Sequence, residues 1–262
     1  MSDPPAPPAG GGPAGSPFER WVADLERRHL AELSFAEVRK GLQAISSLYV
    51  ERRGRLGSGA VFEGAGKRAA FALFFGPLHF LVVREVVGSL GAASPTPSRV
   101  LDLGCGTGAA GAAWALAAGA DVSGLERSGW AASEARETYR ALGLRGRARA
   151  GDLLREPLPG RDAGVLLGWV VNELEDAARV ALLPRLLEAG RRGARVLVVE
   201  PIAARPVPWW EAWAKAFVEA GGRDDLWRFP ASLPPTLALL NRAAGLDHRH
   251  LTARSLWLPG AG

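Results

Sequence analysis

The sequence predicts an α/β fold: a parallel sheet with helices on both faces, preceded by a smaller helical layer. Three observations carry that expectation. After Pro97, short apolar runs alternate with helix-length segments, the pattern of βα units around a parallel sheet. The first of those runs, residues 99–103, enters a set of closely spaced glycines that open into a helical segment. Before Pro97, apolar residues recur instead at helical spacing.

Residues 1–16 are a Pro/Gly/Ala tail with too little apolar surface to order itself. From there Phe18, Trp21, Val22 and Leu25, followed by His29 and Leu33, share one helical face. Ser34 and Glu37 have capping-box spacing and open a second helix, whose stripe is Phe35, Val38, Leu42, Ile45 and Tyr49. That helix ends in a basic patch with Arg52, Arg53 and Arg55. A third helical stretch, 67–90, stops before the breakers Pro95 and Pro97. Residues 17–91 are therefore expected to form a helical lid, and 92–262 the sheet domain.

Within the second unit, strands are expected at 99–103, 120–125, 148–150, 164–170, 195–199 and 250–258. Helices are expected at 109–118, 129–142, 173–188 and 235–244, with a Trp-rich stretch after Glu200. The arginines at 145, 147 and 149 would precede the third strand, and those at 191, 192 and 195 would lead into the fifth, away from the strands' carboxyl ends. Arg52, Arg53, Arg55, Lys67 and Arg68 belong to the lid, which can reach over those ends.

Composition narrows the classes. Of 262 residues 48% are hydrophobic and 23% charged, which suits a packed globular core. The formal charge is +5 and the pI about 10.1, with only Lys40, Lys67 and Lys215 among 32 basic residues. Such a charge attracts polyanions such as RNA, but an Arg-, Ala- and Gly-heavy composition is equally the mark of a GC-rich genome. The single cysteine, Cys105, excludes an internal disulfide and a four-cysteine metal site, and makes the cytoplasm the default compartment. His29, His79, His248 and His250 are scattered, so no metal is expected. The start of the chain lacks both the basic residues and the apolar core of a secretory signal. The most apolar run, 69–83, is interrupted by Gly76–Pro77 and His79 and falls short of the roughly 20 residues that span a bilayer, so no membrane partner is expected.

The densest chemistry lies in Asp102-Leu103-Gly104-Cys105-Gly106-Thr107-Gly108. A buried strand running into such glycines makes a turn that a ligand can approach closely, and the following helix aims its free N–H groups there. Gly104, Gly106 and Ala109 also satisfy the loose G-x-G-x-x-G/A pattern of dinucleotide sites. Asp102 argues otherwise, since a carboxylate beside the loop repels a pyrophosphate and suits an ammonium.

This heptapeptide resembles motif I of the class I S-adenosylmethionine (SAM)-dependent methyltransferases, whose βα order the stretch from Arg99 to Glu200 follows. The resemblance implies a Rossmann-like methyltransferase sheet and SAM as cofactor. Gly104, Cys105, Gly106, Thr107 and Gly108 would cradle the methionine portion and Asp102 its ammonium. Glu126, at the end of the second strand and followed by Arg127, would hold the ribose hydroxyls, as a carboxylate accepting two hydroxyl protons can. Asp152 and Leu153 would lie at the adenine, where Gly-Asp is also ordinary turn material. Trp169 would flank the adenine or fill the sheet edge. In an open α/β sheet the loop after the fourth strand faces the ligand, so Asn172 would position an acceptor and Glu173 would remove its proton. Asn172 and Glu175 also have the spacing of an N-cap with its N3 partner. Trp209, Trp210 and Trp213, with Trp227, would rim the same cleft or serve as packing residues.

A narrower set, the glycine loop with Glu126-Arg127-Ser128-Gly129-Trp130 and Val171-Asn172-Glu173-Leu174, is similar to the Rsm-type, methyltransferase-like family of the small ribosomal subunit. That similarity implies a methyltransferase acting on ribosomal RNA, or alternatively a small-subunit assembly factor that binds SAM with little or no turnover, although the cysteine-rich metal-binding elements of that family are absent. A small molecule or RNA is thus the expected partner.

Overall fold

The structure is a computed structural model that describes residues 15–51, 60–202 and 207–260. The patch Arg52, Arg53 and Arg55 and most of the predicted tail lie outside the described residues.

A seven-stranded mixed sheet runs in the order β3-β2-β1-β4-β5-β7-β6. Strands β1 (Arg99–Leu103), β2 (Asp121–Glu126), β3 (Gly146–Ala150), β4 (Ala163–Gly168) and β5 (Arg195–Glu200) are parallel. The last two, β6 (Arg223–Pro230) and β7 (His250–Leu258), pair antiparallel, β7 also with β5. The central strands are buried on both faces and therefore read as continuous apolar runs. Alternation divides them between two cores. Val100, Leu166, Leu197 and Val199 pack under α5 (Ala109–Ala118) and α6 (Gly129–Ala141). Leu101, Leu103, Val165, Val196 and Val198 pack under α7 (Asp176–Arg191) and α8 (Pro208–Glu219).

The N-terminal helices join the first of these cores, so the lid and the sheet domain share one apolar interior. Helix α1 (Pro17–His29) starts from a full capping box between Ser16 and Glu19 and buries Phe18, Trp21, Val22 and Leu25. It ends at His29, which puts Leu33 in the following turn. Helix α2 (Phe35–Glu51) buries Val38, Leu42 and Ile45. The apolar stretch Ala65–Leu90 is one 26-residue helical run: α3 (Ala65–Ala70), a π-helical turn at Phe71–Phe75, and α4 (Gly76–Leu90). Gly76–Pro77 does not interrupt it, because the wider turn before Pro77, where Gly76 N–H donates to the Phe71 carbonyl, accommodates a residue lacking an N–H. Among the described residues it is the one helix long and apolar enough to cross a membrane, and 78% of its apolar window is buried within the fold.

Three expectations need correction. Strand β6 was not foreseen, because as an exposed edge strand it carries Arg223, Asp224, Asp225 and Arg228 in place of an apolar alternation. The third strand begins at Gly146, so Arg147 and Arg149 stand within it; as the opposite edge it tolerates their exposed side chains. Arg149 pairs in register with Leu125, close to the cleft end. The fourth strand ends at Gly168, because Trp169 turns into the left-handed region (φ 58°).

Candidate active site

At the carboxyl ends of β1, β2 and β4 lies a cleft of about 940 Å³, mouth included, between the glycine loop and the N-terminal helical layer. Backbone hydrogen bonds shape its floor. Gly104 N–H and Cys105 N–H both donate to the Leu125 carbonyl, at 2.7 and 3.0 Å, and Gly108 N–H closes the loop onto the Cys105 carbonyl at 2.7 Å. Gly104 has φ 72°, and a Cβ there would sit 2.5 Å from Val170 Cγ2, so only glycine lets β1 turn this tightly beside the loop after β4. In the first turn of α5, Gly111 lies so close to Asp102 that a Cβ would meet Oδ2 at 2.6 Å.

Asp102 lines the cleft yet is 1% exposed, and its Oδ2 accepts from Gly111 N–H at 2.9 Å. Burial pushes its carboxyl up to about 7, against the Gly111 hydrogen bond and with help from the neighbouring Glu126 charge. A buried acid in that condition favours a cationic ligand. Glu126 accepts from Gly106 N–H and from Ser128 N–H, both at 3.0 Å, one on each oxygen. A carboxylate offers about four acceptor sites, so two remain for a pair of hydroxyls. Cys105, Gly106, Thr107, Arg127 and Leu153 also line the cleft, whereas Gly108 lies behind the loop as the N-cap of α5. Asp152 is not part of the wall: its Oδ1 accepts from Leu154 N–H at 3.0 Å, and Arg127 and Arg155 stand 3.9 Å from its carboxylate.

The loop after β4 divides the two residues expected on the acceptor side. Glu173 lines the cleft; its side chain opens onto the cavity while protein crowds it elsewhere. Desolvation, then the charges of Glu200 and Glu126, push it up to about 8, a shift that water in the open cleft moderates. Asn172 lies outside the wall. Its amide Nδ2 donates to Glu200 at 2.6 Å and its Oδ1 accepts from Trp209 Nε1 at 3.2 Å. It does not cap α7 either: the N-cap is Glu175, and residues 171–173 form a separate 3-10 turn.

The N-terminal layer adds four cleft-lining residues that were not singled out as site residues from the sequence: Val61, Phe62, Phe71 and His79. His79, on α4, stacks flat on Trp169, with centroids 3.7 Å apart and planes 8° from parallel. Of the tryptophans placed after Glu200, none lines the cleft. Trp210 and Trp213 are buried in α8 on the opposite face, Trp209 packs on both, and Trp227 Nε1 donates to Ser255 Oγ at 2.8 Å. Among the described residues no cluster of metal-ligating side chains occurs.

Comparison with known proteins agrees with this geometry. Residues 100–193 match a family model described as a methyltransferase domain. A curated relative, 2,7-dihydroxy-5-methyl-1-naphthoate 7-O-methyltransferase of Streptomyces carzinostaticus, is 38% identical over 109 residues, covering 40% of this chain and 32% of the relative; the match thus spans about a third of that relative's length. Among solved structures, mitomycin 7-O-methyltransferase MmcR superposes with a TM-score of 0.52 at 21% identity, covering 95% of this chain and 74% of that one. A candidate O-methyltransferase of Nostoc punctiforme gives 0.54 at 16%, covering 90% and 72%. The family match places a methyltransferase domain in residues 100–193, and the two solved structures share the fold that carries it.

Proposed function

We propose that this chain is an O-methyltransferase that transfers the methyl group of SAM to a hydroxyl of a small molecule. The observation that carries the reading is the cleft itself: the glycine loop with Asp102 and Glu126 on one side, and Glu173 among apolar and aromatic side chains on the other. Those walls, contributed in part by the N-terminal layer, favour a small apolar acceptor over RNA. The relative's activity on a naphthoate hydroxyl supports the same class of reaction.

The residues present fit the cofactor. Asp102, buried and short of a countercharge, suits the ammonium; Gly104 and Gly106 leave the loop backbone accessible beside the methionine portion. Glu126 has acceptor capacity for the ribose hydroxyls, and Arg127 and Leu153 flank the adenine end, with Asp152 behind them. Bound there, SAM supplies an electrophilic methyl on a sulfonium that is already a good leaving group. The protein's contribution is then alignment, exclusion of water and removal of one proton. Glu173 takes that proton from the acceptor hydroxyl, its raised carboxyl being better matched to the task than an ordinary surface glutamate.

Incubation of the full chain with methyl-labelled SAM and a panel of naphthols, hydroxynaphthoates, RNA and protein fractions tests the reading. Label recovered as an aryl methyl ether is the expected result. Label confined to RNA or protein would overturn it.

A further inference from the structure

His79 combines features that the cofactor side of the cleft does not use. Its imidazole is stacked on Trp169 and lies edge-on to Phe71, with centroids 6.1 Å apart and planes at 83°. It lines the cleft, and among the described residues no hydrogen bond or ion pair reaches its nitrogens. His79 is partly exposed, so its nitrogens open onto the cleft, where a ligand can meet them.

The other side of the stack is strained. Trp169 holds φ at 58°, a conformation unfavourable for a bulky side chain, while its N–H donates to the Val199 carbonyl at 2.8 Å. Backbone strain of this kind persists where the surroundings over-determine it, and it clusters at ligand sites. Here the stack sets the plane of the imidazole. Around it the wall is aromatic: Phe62 meets Phe71 at 4.9 Å edge-on and Trp130 at 5.3 Å, and Phe71 belongs to the π-helical turn, a device frequent at functional sites. Flat rings in offset and edge-on arrangements favour a flat aromatic guest.

Resting on the methyltransferase reading above, we infer that the acceptor is a planar hydroxyarene seated among Phe62, Phe71 and Trp169, and that His79 anchors it by a hydrogen bond to one of its oxygens. The division of labour with Glu173 follows from acidity. Burial pushes the imidazole down to about 3, so it is neutral, with one donor and one acceptor nitrogen, and is far too weak a base for a phenol of pKa roughly 10. Glu173, raised to about 8, is the better match for the proton. His79 holds the acceptor and Glu173 deprotonates it.

The test uses the full chain and 3-hydroxy-2-naphthoate, titrated by its fluorescence with and without S-adenosylhomocysteine, on wild type, His79→Phe and His79→Asn. His79→Phe keeps a ring for the stack and removes the nitrogens. It is expected to bind the naphthoate about tenfold or more weakly, as loss of one hydrogen bond in a dry site implies, while its affinity for S-adenosylhomocysteine stays within about twofold. His79→Asn, which restores a donor and an acceptor, is expected to fall between the two. In the wild type, imidazole ¹⁵N shifts should respond to the naphthoate, a readout that needs no variant to fold. The inference is overturned if the wild type does not bind the naphthoate, if His79→Phe binds it undiminished, if no imidazole shift responds, or if only the S-adenosylhomocysteine affinity falls. Failure of S-adenosylhomocysteine to bind the wild type, with naphthoate binding still dependent on His79, would remove the methyltransferase reading and leave the anchor in place.

Discussion

The buried carboxylate of Glu200 accepts both N–H donors of Asn172, the backbone one at 3.1 Å and the side-chain one at 2.6 Å, so the end of β5 fixes the turn that presents Glu173. Asn172→Ala deprives a buried carboxylate of a donor and should cost about 1–3 kcal/mol in urea unfolding. Because Asn172 does not line the cleft, the same variant should lower kcat while leaving S-adenosylhomocysteine affinity within about threefold, as a calorimetric titration would show.

In the role proposed for it Glu173 acts in its ionised form, and its carboxyl, exposed to the cleft, is raised to about 8 by desolvation and by the charges of Glu200 and Glu126. The ionised fraction therefore grows as pH rises, so kcat should climb through roughly pH 7–8 and level off above it. Glu173→Gln should lose activity by a factor of about 10² or more and lose this rise with pH, while retaining cofactor binding. A pH–rate profile of both proteins with one phenolic acceptor checks the point.

Asp102 opposes folding in the absence of a ligand. Its folded carboxyl is raised to about 7 by burial, so above its ordinary range the protein is less stable than it would be with a neutral residue there. Asp102→Asn should raise Tm by roughly 3–6 °C, the equivalent of about 1–2 kcal/mol, and weaken SAM binding by about tenfold or more. Thermal melts with and without SAM separate the two effects: the ligand-induced rise in Tm should shrink in the variant.

Glu134, on α6 and 6% exposed, pins the N-terminal helix α1 to the helical layer on the sheet. It accepts from Arg28 at 2.6 and 3.0 Å and meets His29 at 3.2 Å. Burial alone would raise its carboxyl, but the hydrogen bonds and charges of His29 and Arg28 prevail and hold it at about 2. With the folded value below the unfolded one, this contribution is fully present above the ordinary glutamate range and is lost as pH falls toward about 2. Its ceiling is on the order of 3 kcal/mol. Glu134→Gln should be the less stable protein at neutral pH, and the gap to wild type should close in urea titrations near pH 2–3.

The parts that were legible in the sequence are those whose signal is local. β1, the glycine loop and α5 follow one another within 20 residues, so turn, strand and helix patterns reinforce each other, and Glu126 follows from the end of the next apolar run. β6 escaped because an exposed edge strand needs no apolar alternation. His79, Phe62 and Phe71 reach the cleft only through packing of the N-terminal layer on the sheet domain, a long-range event that spacing does not encode; the joining of a histidine to a phenylalanine-rich helical run just before β1 was the available signal. Asn172 shows the opposite failure. Its spacing to Glu175 mimics a helix cap, yet the distant Glu200 offers it a buried carboxylate and wins.

On the proposed reading, the acid-flanked glycine loop takes a cationic methionine derivative. Isothermal titration of the full chain with SAM, S-adenosylhomocysteine and NADH tests it most directly. Saturable binding of the first two at one site per chain, abolished or strongly weakened in Asp102→Ala and with no heat from NADH, is the expected result. Tight binding of NADH with no response to SAM or S-adenosylhomocysteine would contradict it.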